Sequence, residues 1–172
     1  DDAGTVVVNA VHCGVGGIAV QRAAPLKPVL GRAAYRLGAA LAGATSEGWR
    51  VEVEVDGHLL ADGQVLFVGI GNGATIGGGT VVWPDARLDD GVVDVVVGPG
   101  AAALSRLQLA AALRSGDPGS VDGIVVGRGR SVRVEGEAIP SIADGELCPP
   151  SPLRTWQVQP AAWHLLAPCR TG

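Results

Sequence analysis

The sequence is poor in the side chains that most nucleic-acid and membrane proteins need. Its 172 residues contain no Met, one Phe and one Tyr, and aromatic residues make up only 3% of the total. The formal net charge of −4 gives no general attraction to nucleic acid, and basic and aromatic side chains do not interleave as they do in a nucleic-acid platform. No apolar run reaches the length of a membrane span, and no basic segment precedes a leader-like apolar stretch. We therefore expect a globular protein with no nucleic-acid partner.

Cysteine is also scarce. Cys13, Cys148 and Cys169 are odd in number and widely spaced, and they lack the short pairs of a zinc site. This usage predicts a reduced, cytoplasmic protein. The sequence also lacks a Gly-x-Ser-x-Gly elbow and a phosphate loop ending in Lys-Ser/Thr, so two common catalytic motifs are missing.

Apolar residues are plentiful, at 47% of the chain, and most of them are Val, Ala and Leu. A chain of this length can bury the core of one domain, so we treat residues 1–172 as a single domain. The sequence opens on Asp1 without an initiator Met, which suggests a fragment of a longer protein.

Short strand patterns separated by turns dominate the chain. Residues 49–56 alternate polar and apolar side chains, as expected of a strand with one wet face, and the Asp56-Gly57 pair that follows is a hairpin signal. Helical spacing of apolar residues predicts helices over 28–42 and 101–114. The prediction is a mainly β, formally α+β fold: an antiparallel β-sandwich with two packed helices. Further short strands are predicted over the following ranges: 5–10, 59–60, 64–70, 92–97, 121–126, 131–134, 138–143, 153–158 and 162–166.

An acidic turn precedes the most β-branched run. Asp89-Asp90-Gly91 has turn chemistry, and residues 92–97 suit a strand that is covered on both faces. Because adjacent carboxylates repel each other, a cation is expected nearby, either Arg87 or a hard metal ion. A plain solvated hairpin turn is the alternative.

Residues 69–74 fit the pattern G-x-G-x-x-A, but a dinucleotide fold would need a helix immediately afterwards. The glycine-rich, β-branched residues that follow do not form one, so we expect a loop whose backbone approaches another group closely. Asn72 could bind a ligand there or cap its own turn. We assign no role to His12.

Four segments together resemble the bacterial diacylglycerol kinases and their sphingosine-kinase-like relatives. The segment P-D-A-R-L-D-D-G-V-V-D-V resembles a P-x-A-x-x-D-D-G motif, and the loop with Asn72 resembles a G-N-x-x-x-G-G motif. Asp144-Gly145-Glu146 resembles the family's D-G-E motif, and residues 158–163 resemble its closing strand. The resemblance covers roughly residues 6–168 and only the family's C-terminal domain, a β-sandwich related to that of NAD kinases. The family's G-G-D-G-T nucleotide loop is absent from these residues.

The resemblance implies a catalytic pair. In the family, the D-G-E segment carries the base for the lipid hydroxyl, so Asp144 and Glu146 are the candidates. Glu146 is the better candidate, because Asp144 is also a natural turn former. Asn9 fits the strand that lines the cleft.

The resemblance also implies a metal site and a cleft. Asp90 would supply a carboxylate to Mg²⁺, and Arg87 and Val92 would supply backbone carbonyls. The glycine-rich loop Gly71-Asn72-Gly73 would line the substrate cleft.

The function implied is that of an ATP-dependent lipid kinase, which transfers the γ-phosphate to a lipid hydroxyl such as that of diacylglycerol. ATP would be bound mainly by the protein's own N-terminal nucleotide-binding domain, so the isolated fragment is expected to be inactive. The lipid would be met at the membrane surface by peripheral association, and a homodimer is left open. The alternatives are an NAD-kinase-type domain and a non-catalytic β-sandwich module for binding or regulation.

Overall fold

Antiparallel strands form most of the protein that the computed structural model describes, namely residues 1–18, 46–76, 79–100, 111 and 115–163. Seven of them build one sheet, and a short pair forms a second. The strands are β1 (Ala10–Gly14), β2 (Trp49–Val55), β3 (His58–Gly71), β4 (Thr75–Ile76), β5 (Thr80–Val81), β6 (Val93–Pro99), β7 (Val125–Gly129), β8 (Ser131–Ala143) and β9 (Glu146–Gln157).

Two long strands, β3 and β8, organise the sheet. Their N-terminal halves pair with the two edges of β2, and their C-terminal ends pair with the two edges of β1. Strands β2 and β1 therefore lie end to end between them. Strands β6 and β7 extend the sheet beyond β3, and β9 extends it beyond β8.

The sheet curls over its own core and becomes a sandwich. A Cβ atom on Gly127 would lie 2.9 Å from the Leu60 methyl carbons, and one on Gly129 would meet Val55. The outer strand β7 thus packs on the β2–β3 hairpin, and the first apolar core consists mainly of valine. This core consists of Val11, Cys13, Val51, Val53, Val55, Val65, Val68, Ile70, Val95, Val97, Val132, Val134, Ile139, Ala143 and Trp156.

A second apolar cluster covers the opposite face of β1, β3 and β6. Trp83 lies in it and is only 2% exposed. Residues 95–97 of β6 are therefore buried on both faces, as their β-branched sequence predicts, but Val92 lies outside the strand and Val93 is only half-buried. The other members of this cluster are Ala10, Leu66, Phe67, Val82 and Val96.

The mainly β, antiparallel prediction is confirmed, but its two packed helices are not. Residues 28–42 and nearly all of 101–114 lie outside the described residues. Where the structure describes the chain, helical backbone is confined to 15–18, 111 and 115, together with a 3-10 turn at Pro118–Ser120. None of the described helices is long and apolar enough to cross a membrane.

Several predicted strand boundaries were wrong. The strand expected over 5–10 begins only at Ala10 and continues through the glycine-rich residues to Gly14. The ranges 59–60 and 64–70 belong to one strand, as do 131–134 and 138–143, and each long strand continues through an irregular register with its neighbour. Of the strand expected over 162–166, Ala162 and Trp163 are not extended partners in the sheet, and the rest lies outside the described residues.

Candidate functional site

The D-G-E segment forms the turn of the β8–β9 hairpin. Asp144 and Gly145 both have positive φ, 48° and 94°, as the two central residues of a type I′ turn require. Ala143 and Glu146 close the hairpin as a cross-strand pair. Glu146 is exposed, and its carboxylate has no hydrogen-bond or ion-pair partner among the described residues. Its carboxylate is therefore not engaged in the described fold.

The Asp144 carboxylate is fully engaged with the backbone that leads into β1. It accepts N–H groups from Val8 at 2.6 Å, from Asn9 at 2.9 Å and from Ala10 at 2.9 Å. The Asp144 N–H donates in turn to the Ala10 carbonyl at 2.9 Å. Hydrogen bonds to an ionised acceptor are among the stronger ones. Asp144 thus anchors the turn, while its neighbour Glu146 remains available.

The same entering segment holds the glycine-rich loop. The Asn9 carbonyl accepts the N–H groups of Asn72 at 2.8 Å and Gly73 at 3.0 Å. The Asn72 side-chain amide donates to the Val8 carbonyl at 2.8 Å, and that of Asn9 donates to the Thr75 carbonyl at 3.0 Å. The Asn72 side chain thus ties its loop to the segment that leads into β1, and this contact tests neither of the two roles considered for it. Residues 8–10 therefore join the predicted cleft loop to the D-G-E turn.

The close approach expected at the glycine loop is made by side chains of the protein itself. A Cβ atom on Gly71 would collide with the Trp83 indole, and one on Gly73 would collide with Asn9 Oδ1. These two groups pack directly on the backbone of the loop and leave no room for a side chain at either glycine.

We expect Gly71→Ala to lower the free energy of unfolding by about 1–3 kcal/mol, the usual cost of overpacking a filled core. The indole is 2% exposed and cannot move aside without displacing the cluster around it. Thermal unfolding of this chain would measure the loss.

Gly119→Ala is the matched control. Gly119 is exposed, has no positive φ, and offers a new Cβ atom only ordinary contacts of 3.7 Å or more. Equal melting temperatures for the two variants would contradict the packing described for Trp83.

The acidic turn lies beside the glycine-rich loop, since a Cβ atom on Gly73 would lie 3.7 Å from the Leu88 side chain. Each of its two carboxylates has an arginine partner. Asp89 pairs with Arg87 at 3.2 Å, as one of the two sequence alternatives proposed. Asp90 pairs with Arg128 of β7, which the sequence did not suggest, and its Oδ1 atom also accepts the Val92 N–H at 3.2 Å. The described residues contain no group of three or more His, Cys, Asp or Glu side chains able to hold a metal ion. The predicted site would instead use one carboxylate and two backbone carbonyls.

His12 lies on β1 and packs against Phe67 of the second apolar cluster. It is 7% exposed, its ring centroid lies 6.3 Å from that of Phe67, and a Cβ atom on Gly16 would collide with it. Burial lowers the pKa of His12 to about 4, so the ring is neutral near pH 7. It is a packed residue.

The sequence matches a protein family over residues 9–167, which is most of the chain. That family is described as the YegS C-terminal NAD kinase beta sandwich-like domain. The chain belongs to this family. The resemblance drawn from its four motifs is therefore confirmed.

Curated relatives carry the name probable lipid kinase YegS-like. The protein of that name from Pseudomonas putida is 36% identical over 146 residues, which cover 83% of this chain and 46% of the relative. One from Pseudomonas aeruginosa is 53% identical over 38 residues, or 22% of this chain and 13% of the relative. The chain thus spans about half the length of the Pseudomonas putida relative.

Solved structures with the same fold include a putative diacylglycerol kinase from Bacillus anthracis. It superposes with a TM-score of 0.67 at 21% identity, covering 90% of this chain and 51% of that protein. A second structure of a putative diacylglycerol kinase from the same organism gives a TM-score of 0.64 at 19% identity, with coverage of 90% and 50%. These likenesses establish the fold of the domain.

Proposed function

We propose that this chain is the substrate-contacting domain of an ATP-dependent lipid kinase, which transfers the γ-phosphate to a lipid hydroxyl such as that of diacylglycerol. The observation that carries the proposal is the unpartnered Glu146 carboxylate at the edge of a hairpin whose turn is fixed by Asp144. The names of the relatives agree with this reaction class.

In the proposed reaction, the oxygen of the lipid hydroxyl bonds to the γ-phosphorus of ATP, and a Glu146 oxygen accepts the hydroxyl proton. The bond between the γ-phosphorus and the ADP leaving oxygen breaks in the same step. Mg²⁺ bound with ATP would neutralise the phosphate charge. Asp144 keeps the turn in its left-handed conformation, so the base is presented at a fixed position. The nucleotide would be held mainly by the protein's own N-terminal domain, the partner we propose for this chain.

A lipid fits the surroundings of Glu146 better than a dinucleotide does. Three apolar side chains near the turn and the glycine loop are exposed: Leu147 at 44%, Val8 at 41% and Leu88 at 55%. Such residues suit an acyl chain or a membrane surface, whereas an NAD-kinase-type site would need polar partners for a second nucleotide. A non-catalytic β-sandwich module would need no free carboxylate at this place.

The test is phosphoryl transfer by the full-length protein that contains this chain. With labelled ATP and Mg²⁺, we expect label to enter diacylglycerol in mixed micelles and not to enter NAD. Transfer to NAD alone would favour the NAD-kinase alternative. Transfer to neither, by a folded protein that binds ATP, would favour the non-catalytic module.

We further expect the 172 residues alone to bind no ATP at micromolar concentrations and to phosphorylate no lipid, because they contain neither a G-G-D-G-T loop nor a phosphate loop. Calorimetric titration with ATP and Mg²⁺ would measure this, with the full-length protein as the positive control. A micromolar dissociation constant for the chain alone would place a nucleotide site within these residues.

A further inference from the structure

Arg128 lies between two carboxylates at the edge of the acidic turn. Its Nη2 atom forms an ion pair with Asp90 Oδ2, and its Nε atom lies 3.6 Å from Asp94 Oδ1. Arg128 and Asp94 are cross-strand neighbours on β7 and β6, so the sheet itself positions the guanidinium. The carboxylates are 21% and 20% exposed, and these ion pairs are therefore partly shielded from water.

This arrangement does not fit the metal ion that the family resemblance implies. Both oxygens of Asp90 already have partners, Oδ1 the Val92 N–H and Oδ2 the Arg128 guanidinium. A divalent cation binds a carboxylate oxygen at about 2.0–2.6 Å. Bound to Asp90, it would lie within a few ångströms of the guanidinium, and the repulsion between the two cations would oppose its binding.

We propose that the Arg128 guanidinium is the resident cation of the acidic turn in this protein and takes the place of a bound Mg²⁺ or Ca²⁺. The proposal does not depend on the identity of the phosphorylated substrate. Any Mg²⁺ that enters with ATP would serve the phosphates and leave this turn unchanged.

The charges around the turn explain why a cation is needed there. Asp94 Oδ2 is buried and has no hydrogen-bond partner within the part of the chain that the structure describes. Without Arg128, two carboxylates would share the site with no positive charge between them. Two carboxylates form a favourable ligand set for a hard divalent cation.

Arg128→Ala tests the proposal by metal rescue. The melting temperature of the parent chain should be the same in EDTA and in millimolar Mg²⁺ or Ca²⁺. The variant should melt several degrees lower in EDTA and recover at least half of that loss in one of the two metals, because a ligand of the native state stabilises it by mass action. Adding Asp90→Asn to the variant should remove the recovery.

Two controls isolate the role of the guanidinium. Arg87→Ala removes an exposed arginine of the same turn whose side-chain hydrogen bonds, in the described part of the chain, go to Asp89, so its melting temperature should stay near that of the parent and remain insensitive to metal. Arg128→Lys keeps a positive charge and should also be insensitive to metal.

The parent chain alone can overturn the proposal, even if Arg128→Ala does not fold. A rise of several degrees in the parent's melting temperature with Mg²⁺ or Ca²⁺, lost in Asp90→Asn, would show that a metal ion occupies the turn. A folded Arg128→Ala variant that melts like the parent with and without metal would equally show that the turn needs no cation from Arg128.

Discussion

In the full-length protein that contains this chain, Glu146→Gln is expected to lower turnover by about 10²–10⁴-fold, the usual contribution of a general base. Glutamine keeps the size of the side chain and one acceptor oxygen but cannot take up the proton of the hydroxyl. The carboxylate has no partner among the described residues, so its replacement breaks no contact of the fold described here. Steady-state kinetics would show a fall in kcat, with KM for ATP and the melting temperature close to those of the parent.

Glu47→Gln is the matched control for this result. Glu47 is an exposed glutamate whose side chain has no partner in the described ranges, and it lies on the segment that leads into β2, away from the hairpin turn. Its replacement should leave kcat unchanged. Near-parental turnover of a folded Glu146→Gln enzyme would remove the catalytic role from the D-G-E motif.

The sequence predicted those parts of the fold whose signal is local. The alternation over 49–56 gives β2 with Val51 and Val53 in the core, and the β-branched run after the acidic turn gives β6, whose residues 95–97 are buried on both faces. It failed where a long strand contains turn-like residues. The prediction ended one strand at residue 134 and began another at 138, but β8 continues through Gly136, with φ of 141°, and shifts its register against β9.

The candidate site shows the same limit. The Asp144-Gly145 pair is a local turn signal, and it does form a turn, that of the β8–β9 hairpin. The partners of Asp144 are backbone N–H groups about 135 residues earlier in the chain. Nearly every residue has a backbone N–H group, so the sequence does not indicate which of them Asp144 binds. The ion pair between Asp90 and Arg128 spans 38 residues and depends on β7 lying next to β6, which no local pattern specifies.

The second large effect is expected at Asp144. As a carboxylate on an exposed turn, it would be expected to tolerate an amide with little change in stability, as most surface positions do. The structure predicts otherwise, because three backbone N–H groups converge on its two oxygens. Asp144→Asn replaces one of those oxygens by an NH2 donor. The remaining oxygen still accepts, but it no longer carries a negative charge. We expect the free energy of unfolding to fall by about 1–3 kcal/mol.

For a chain of this size, such a loss corresponds to a fall of roughly 2–4 °C in melting temperature per kcal/mol. Asparagine tolerates positive φ as well as aspartate does, so the change tests the hydrogen bonds and not the turn geometry. Asp122→Asn, at an exposed aspartate with no side-chain hydrogen bond in the described structure, should have almost no effect. Hydrogen exchange should show faster exchange at the Val8, Asn9 and Ala10 amides in Asp144→Asn only.

The Asp144 variant also separates the two carboxylates of the motif. If Asp144 is the anchor and Glu146 the base, Asp144→Asn lowers stability and amide protection together, and turnover falls because the base is less well positioned. The opposite pattern would be unchanged stability and amide protection with turnover lost by about 10²-fold or more, the contribution expected of a base. That pattern would assign proton transfer to Asp144 and reverse the roles proposed here.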